Sequence, residues 1–241
     1  MLNFAHFFTR ISIFITLWLP LSSHAATLQV YPVNIDFSEN EKAKAVYVSN
    51  AGKSAINAQI RVFLWQQDSG ENKLIETMEI IFSPPLTDIT PGQQQMIRII
   101  LPNQKTTNSE LSYRLIIDEL PGSDEAQNGG AINFLLRYSL PIFINTPSTP
   151  VDNAKIHVWI DKSTTPALLK VSNENNQHIK LSDVSITNQG KKVVVSKGLL
   201  GYVLANNQME WPLPAHLSSG QNIEVTLNEH TEPQTFSISA R

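Results

Sequence analysis

The feature that most constrains this chain is a repeated alternation of apolar and polar side chains over short segments. In residues 57–66, "NAQIRVFLWQ", one side carries Ala58, Ile60, Val62 and Leu64, and the other carries Gln59, Arg61, Phe63 and Trp65. Successive side chains of a β-strand point to opposite faces, so this alternation predicts strands with one buried face. Turn residues recur about every ten positions, and no apolar period of helical length is present. Short strands at this spacing predict an all-β fold, a sandwich or a barrel.

A break in the chain's organisation falls in residues 145–153, "NTPSTPVDN". Prolines and small polar residues without an apolar pattern predict a linker, and strand-like segments resume after it. We therefore predict a first β-domain over residues 26–145, a hinge over 146–153 and a second β-sandwich domain over 154–241.

The first 25 residues have the three-part layout of a secretory signal peptide. Arg10 precedes an apolar run, and Ser23-His24-Ala25 supplies small residues for cleavage after Ala25. The run is shorter than the roughly 20 residues that a membrane-spanning helix needs, so we predict no membrane span after cleavage. A membrane anchor is the alternative. Export without a single cysteine means that the mature chain is held by its core alone.

Charge and motifs exclude several classes of function. Without Arg10 the chain has 17 basic and 21 acidic residues, and this balance gives no indication of a nucleic-acid partner. The four histidines after residue 25 do not have metal-ligand spacing, and no nucleophile elbow or phosphate-binding loop is present. We predict no catalytic residue, no metal and no cofactor. A β-sandwich hydrolase with a site built from loops is the remaining enzymatic alternative.

Residues 131–145, "AINFLLRYSLPIFIN", combine a bulky apolar face with a long polar loop before it. That face carries Ile132, Phe134, Leu136, Tyr138 and Leu140. It either packs into this protein's own core or is offered to another molecule. The first interpretation suits the continuous run over residues 142–144, and the second suits residues 132–136.

Five segments in this order resemble the PapD-like periplasmic pilus chaperones of the chaperone–usher system: "VYPVNIDFS", "VYVSNAG", "PGQQQMIRI", "YRLIIDELP" and "LLRYSLPIFI". Any one of these segments alone would be a weak indication, but five in this order, behind a signal peptide and ahead of a second sandwich, are a strong one. The segments "YRLIIDELP" and "LRYSLPIFI" are most similar to the archaic branch, which includes the Csu pilus chaperones.

The resemblance implies two immunoglobulin-like β-sandwich domains at an angle, with a cleft between them. It also implies donor-strand complementation, in which the chaperone lends its G strand to a pilin that lacks its own last strand. The side chains of that strand would be Ile132, Phe134, Leu136, Tyr138 and Leu140. The implied partners are pilus subunits and an outer-membrane usher, and the free protein is expected to form self-capping oligomers in the periplasm.

Many members of this family hold the subunit's C-terminal carboxylate with two basic cleft residues. Asn34 and Pro141 stand at the matching positions, and neither can form an ion pair. Pairing of "YRLIIDELP" with the following strand is expected to place Arg114 level with residues 137–139. Arg114 and Arg137 are therefore the candidate anchors, because a guanidinium can bind both oxygens of a carboxylate. An exposed strand arginine or an internal ion pair is the alternative for each.

A secreted adhesion or carbohydrate-binding sandwich, or a pilus subunit itself, is the main alternative function. A pilin would be a single domain with an apolar extension near its mature N-terminus. Here the segment "ATLQVYPV" is short and two complete-looking domains follow it.

Overall fold

The computed structural model describes residues 28–103, 107–121, 135–228 and 230–239. The predicted signal peptide, Ile132 and Phe134 lie outside these residues. The described chain forms strands β1 to β18 and one short 3-10 helix, Asn153–Lys155. The strands are β1 Leu28–Tyr31, β2 Ile35–Phe37, β3 Ala43–Asn50, β4 Ile56–Asp68, β5 Glu71–Glu76, β6 Ile81–Ser83, β7 Leu86–Ile89, β8 Gln94–Ile100, β9 Leu111–Leu120, β10 Arg137–Ile144, β11 Ile156–Asp161, β12 Leu168–Asn173, β13 Ile179–Asn188, β14 Lys191–Val194, β15 Leu199–Val203, β16 Asn207–Pro212, β17 Asn222–Leu227 and β18 Gln234–Ser239.

The first ten strands form two sheets that enclose one core, which we call the first sandwich. One sheet has the order β1-β3-β8-β6, and the other has the order β2-β10-β9-β4-β5, with β7 also paired to β4. The alternation read in β4 is confirmed, since Ala58, Ile60 and Val62 are at most 5% exposed and lie in this core. The all-β prediction is confirmed by these sheets.

The remaining strands form a second sandwich around a core of their own. Its eight strands follow the order β14-β13-β17-β18-β11-β12-β16, with β15 paired to β13. The parallel pairing of β11 with β18 joins the two halves of this sheet. Its core is built from the inward side chains of these strands, including Leu169, Val184 and Val203. None of the described helices is long and apolar enough to cross a membrane.

The two sandwiches meet in a small apolar cluster, the interface cluster, formed by Trp65, Phe143, Tyr202 and Leu204. This contact explains why residues 140–144 form a continuous apolar run. Leu140, Ile142 and Ile144 face the first core, whereas Phe143 lies in the interface cluster. Both faces of this part of β10 are therefore buried.

The turn between β4 and β5 extends the contact. Gly70 forms a bridge with Met209 of β16 and has φ +80°, a conformation that favours glycine. A Cβ at Gly70 would lie 2.4 Å from Cγ of Glu210. Space and backbone conformation both select glycine where the first sandwich abuts the second.

A buried carboxylate joins the first sandwich, the predicted hinge and the second sandwich. The fully buried side chain of Glu110 accepts hydrogen bonds from the Thr146 hydroxyl at 2.7 Å and the His178 backbone N–H at 3.1 Å. The His178 ring nitrogen Nδ1 lies 2.9 Å from the same carboxylate, and the ring stacks on Phe143 with centroids 3.6 Å apart. His178 therefore has a structural role in joining the two sandwiches.

Candidate functional site

The first half of β10 has an open edge, by which we mean the side of residues 137–140 that faces away from β9. Arg137–Ile144 pairs with β9 along its whole length. On the other side, only Ile142, Phe143 and Ile144 have a partner among the described residues, namely the parallel strand β2. Unpaired N–H and C=O groups at such an edge can accept a further strand.

The described side chains on the predicted client-facing side pack against the first core or lie within it. Leu136 and Tyr138 are partly buried against that core, and Leu140 is 5% exposed within it. The Tyr138 hydroxyl also donates to the backbone carbonyl of Leu28 at 2.6 Å. Leu140 is the most buried of these three side chains. The structure of the free chain therefore gives least support to its predicted client-facing role. By contrast, Leu135 is 46% exposed.

On the opposite face of β10, Arg137 is bound within the molecule. Its guanidinium pairs with the Asp118 carboxylate, and Arg61 donates to the same carboxylate at 2.6 Å. The geometry therefore agrees with the internal ion pair that was the alternative for Arg137, and it gives no support to an anchor role for this residue.

Asp118 makes part of the stability of this face dependent on pH. Burial raises the pKa of its carboxyl, but the hydrogen bonds from Arg137 and Arg61 outweigh burial, so the pKa is lowered. A carboxyl with a lowered pKa stabilises the fold above its unfolded pKa, near 3.9, and loses that contribution as pH falls through the folded value.

We predict that Asp118→Asn lowers the free energy of unfolding by about 0.5–1 kcal/mol at pH 7, a modest loss because both arginines are partly exposed. The deficit should shrink as pH falls below the unfolded pKa, near 3.9, and through the lower folded pKa of Asp118. Urea unfolding at several pH values measures it. A deficit that is the same at pH 7 and pH 3 would contradict this explanation.

Arg114 lies on the face of β9 that is directed toward the second sandwich. Its guanidinium carbon is 3.6 Å from the ring centroid of Trp65 and 5.3 Å from that of Tyr202, and Nη1 donates to the Ser139 carbonyl at 3.2 Å. Burial lowers its pKa to about 10, so the group is cationic at neutral pH. Within the described residues no carboxylate forms an ion pair with Arg114.

The predicted register between β9 and β10 was wrong. Arg114 is paired with Pro141 and Arg137 with Asp118, so Arg114 lies two residues beyond the predicted range of 137–139. Residues 121–136 separate the two strands in the sequence, and only a tight turn would have fixed their register from the sequence. The correction places Arg114 level with Pro141, one of the two positions where the family's basic residues were expected. Asn34, the other, is exposed.

Three residues of this site were missed by reasoning from the sequence. Trp65, Gln67 and Tyr202 looked like ordinary strand residues, yet they surround Arg114 or hold its neighbours. The one signal available in the sequence was Trp65, a large aromatic side chain on the polar side of β4. The described residues contain no group of three or more acidic or histidine side chains that could hold a metal.

Comparison with known proteins agrees with this architecture. Residues 27–150 match the family model described as pili and flagellar-assembly chaperone, PapD N-terminal domain. The chain is 25% identical over 174 residues to the probable fimbrial chaperone YehC of Escherichia coli K12, covering 70% of each protein.

Solved structures give the same result. The chain is similar to the CsuC chaperone in the CsuC–CsuE chaperone–tip adhesion subunit complex of Acinetobacter baumannii, with a TM-score of 0.68, 28% identity and coverage of 88% and 98%. A chain in the structure of the SafA pilin in complex with the SafB chaperone from Salmonella enterica shares the fold. The TM-score is 0.62 at 17% identity, and the match covers 90% of this chain and 99% of that one.

The two-sandwich fold matches the architecture of PapD-type two-domain chaperones. This chain belongs to the PapD-like family of pilus chaperones of the chaperone–usher pathway. The resemblance read from the five sequence segments is thereby confirmed, and the family's non-enzymatic character confirms that no catalytic site is expected.

Proposed function

We propose that this protein is a periplasmic chaperone that lends the first half of β10 to a pilus subunit and delivers that subunit to an outer-membrane usher. The observation that carries the proposal is the open edge of residues 137–140, next to residues 142–144 that are paired on both sides. Backbone groups on this edge are available to a client strand. Addition of a strand to an exposed sheet edge is the mode of binding known as β-augmentation. The leader-like first 25 residues support export to the periplasm.

A side chain of β10 can serve its own core and a client's core together. A strand added at the open edge would extend the same sheet, and side chains of neighbouring strands on one face contact each other. Leu136 and Tyr138 are only partly buried against the first core, which leaves surface for such contacts. Burial of each remaining apolar side chain is worth up to about 1.5–3 kcal/mol before the costs of association. Ile132 and Phe134 would continue this face.

The position of β2 indicates where the client strand would end. β2 already occupies the edge of β10 from Ile35 onward and runs parallel to it. A client strand that runs in the same direction along the open edge would stop where β2 begins, level with Pro141. Its terminal carboxylate would then lie one strand away from Arg114, which is paired with Pro141.

Arg114 is accordingly our candidate for the carboxylate anchor. Its guanidinium already reaches across to β10, where it donates to the Ser139 carbonyl. A guanidinium can donate two parallel hydrogen bonds to one carboxylate, and a site removed from bulk water strengthens that pairing. Arg114 would supply from β9 the charge that Pro141 cannot supply from β10.

An open strand edge next to apolar side chains favours association of free copies. We therefore also propose that the free chaperone covers this edge by self-capping in an oligomer. No step of this scheme requires a nucleotide, since the final exchange would be driven by the better fit of the next subunit's strand.

Hydrogen exchange tests the lent strand directly. When a pilin is bound, amides of residues 135–140 that point away from β9 should exchange at least tenfold more slowly, because they become hydrogen-bonded. Residues 142–144 should change little, since β2 already pairs with them. The chaperone with and without a co-expressed pilin is compared by mass spectrometry, at a dilution at which the free chaperone is monomeric, because self-capping would protect the same edge.

The free edge of the other sheet provides an internal control. β6, Ile81–Ser83, lies at the end of the four-stranded sheet that is opposite β1, and it should exchange equally in both samples. Unchanged exchange over residues 135–140 in a complex that stays intact would refute the donor assignment.

A further inference from the structure

The walls around Arg114 come from both sandwiches. Trp65 of β4 lies against the guanidinium at 3.6 Å, and Tyr202 of β15 lies at 5.3 Å on the other sandwich. The two rings meet edge to face with centroids 5.5 Å apart. Tyr202 is 8% exposed and Trp65 is 3% exposed, so neither ring is a loose surface contact. A guanidinium over aromatic faces is attracted by their ring quadrupoles.

The amide of Gln67 holds the second wall in place. Its Nε2 donates to the Tyr202 carbonyl at 2.8 Å, and its Oε1 accepts from the Leu204 N–H at 2.8 Å. One side chain thus satisfies both backbone groups that flank residue 203, as a neighbouring strand would. Gln67 is 7% exposed, so loss of its amide would leave buried polar groups without partners.

Asn72 of β5 connects the two walls. Its side-chain oxygen accepts hydrogen bonds from Nε1 of Trp65 at 2.8 Å and from Nε2 of Gln67 at 3.0 Å. The orientation of the Trp65 ring and the orientation of the Gln67 amide are therefore set by one acceptor. The arrangement fixes both walls relative to the first sandwich.

We propose that Tyr202 is the second wall of the carboxylate anchor and that Gln67 is the positioning residue that holds it there. This inference rests on the proposed role of Arg114. A bidentate pair is stronger when the plane of the guanidinium is fixed before the carboxylate arrives, because a freely rotating group loses entropy on binding. The second sandwich thereby contributes to recognition of the client's C-terminus by restricting Arg114.

The experiment measures discrimination between two forms of one client. The probes are a pilin retained by the wild-type chaperone, with its native C-terminus, and the same pilin with a Gly-Ser-Gly extension that displaces the carboxylate. Each complex is prepared by co-expression, and the rate at which it passes its pilin to excess tagged wild-type chaperone is recorded. The discrimination ratio is the rate for the extended pilin divided by the rate for the native pilin.

We expect a wild-type ratio of roughly tenfold or more, and a ratio near one for Arg114→Ala. Gln67→Ala and Tyr202→Ala should lower the ratio by about two- to fivefold, while their rates with the extended pilin match the wild type. Tyr202→Phe should keep the wild-type ratio because it keeps the ring. Gln66→Ala is the matched control, since Gln66 is the exposed neighbour on the opposite face of β4.

The outcomes separate the two proposals. If Arg114→Ala loses discrimination and both Gln67→Ala and Tyr202→Ala keep it, the inference about the second wall is overturned and the anchor stands. If Arg114→Ala keeps discrimination, the anchor fails and this inference fails with it. Equal acceleration with both probes would show a purely structural role and would also overturn it. Gln67→Met, which nearly preserves volume, and Tyr202→Leu, which removes the ring but leaves a smaller cavity than alanine, replace any alanine variant that does not fold.

Discussion

A chaperone that carries Phe134→Asp and Leu136→Asp is expected to stay folded and to lose retention of its pilin. The two side chains belong to the face that we assign to the client, and each would contribute about 1.5–3 kcal/mol on burial. The substitutions remove that contribution and place carboxylates against an apolar groove, which adds a desolvation cost. We expect affinity to fall by about a thousandfold or more. Co-expression with the pilin, followed by purification on a chaperone tag, measures retention.

Leu135→Asp is the matched control for this experiment. Leu135 is the neighbour of both substituted positions and is 46% exposed, and strand alternation would place it on the opposite face in the complex, so its replacement should leave retention intact. Leu136 also contacts the first core, so the thermal midpoint of each free variant is measured alongside. A folded double variant that still retains the pilin at the wild-type level would rule out the lent strand.

Arg114→Ala is expected to weaken binding of the native pilin by roughly ten- to hundredfold, the usual worth of a charge-assisted hydrogen-bonded pair. Arg114→Lys should recover only part of this loss, because an ammonium group cannot bind two carboxylate oxygens in the same plane. Burial lowers the pKa of Arg114 to about 10, so wild-type binding should not change between pH 6 and pH 8 through this group. Exchange of the pilin to tagged wild-type chaperone measures the effect.

Arg98→Ala serves as the control for loss of a positive charge. Arg98 is exposed on β8, in the other sheet of the first sandwich, and its removal should leave the exchange rate unchanged. Because Arg114 stacks on Trp65, unfolding of the free variants is compared as well. Wild-type affinity in a folded Arg114→Ala variant would remove this residue from the site.

The structure changes how the end of β10 is understood. Residues 140–144 are apolar on both faces because the first core covers one face and the interface cluster covers the other. The open edge stops at the point where β2 begins to pair, at Ile142. The same strand therefore has a free segment for a client and a fixed segment that joins the two sandwiches.

The sequence alone determined the features that depend on local backbone geometry. Side chains alternate between the two faces of any strand, so the pattern of Ala58, Ile60 and Val62 was enough to predict the buried face of β4. Turn residues at short intervals were enough to predict an all-β chain, and five segments in a fixed order were enough to identify the family. These signals need no knowledge of which strands become neighbours.

Only the tertiary structure decided what covers the other face of β4 and which residues surround Arg114. Gln67 and Tyr202 are 135 residues apart, and nothing in either local segment specifies their contact. The register of β9 with β10 was also undetermined, because a long loop leaves the pairing free to shift. Contacts between distant segments depend on how the two cores pack together, and a local sequence pattern does not specify that packing.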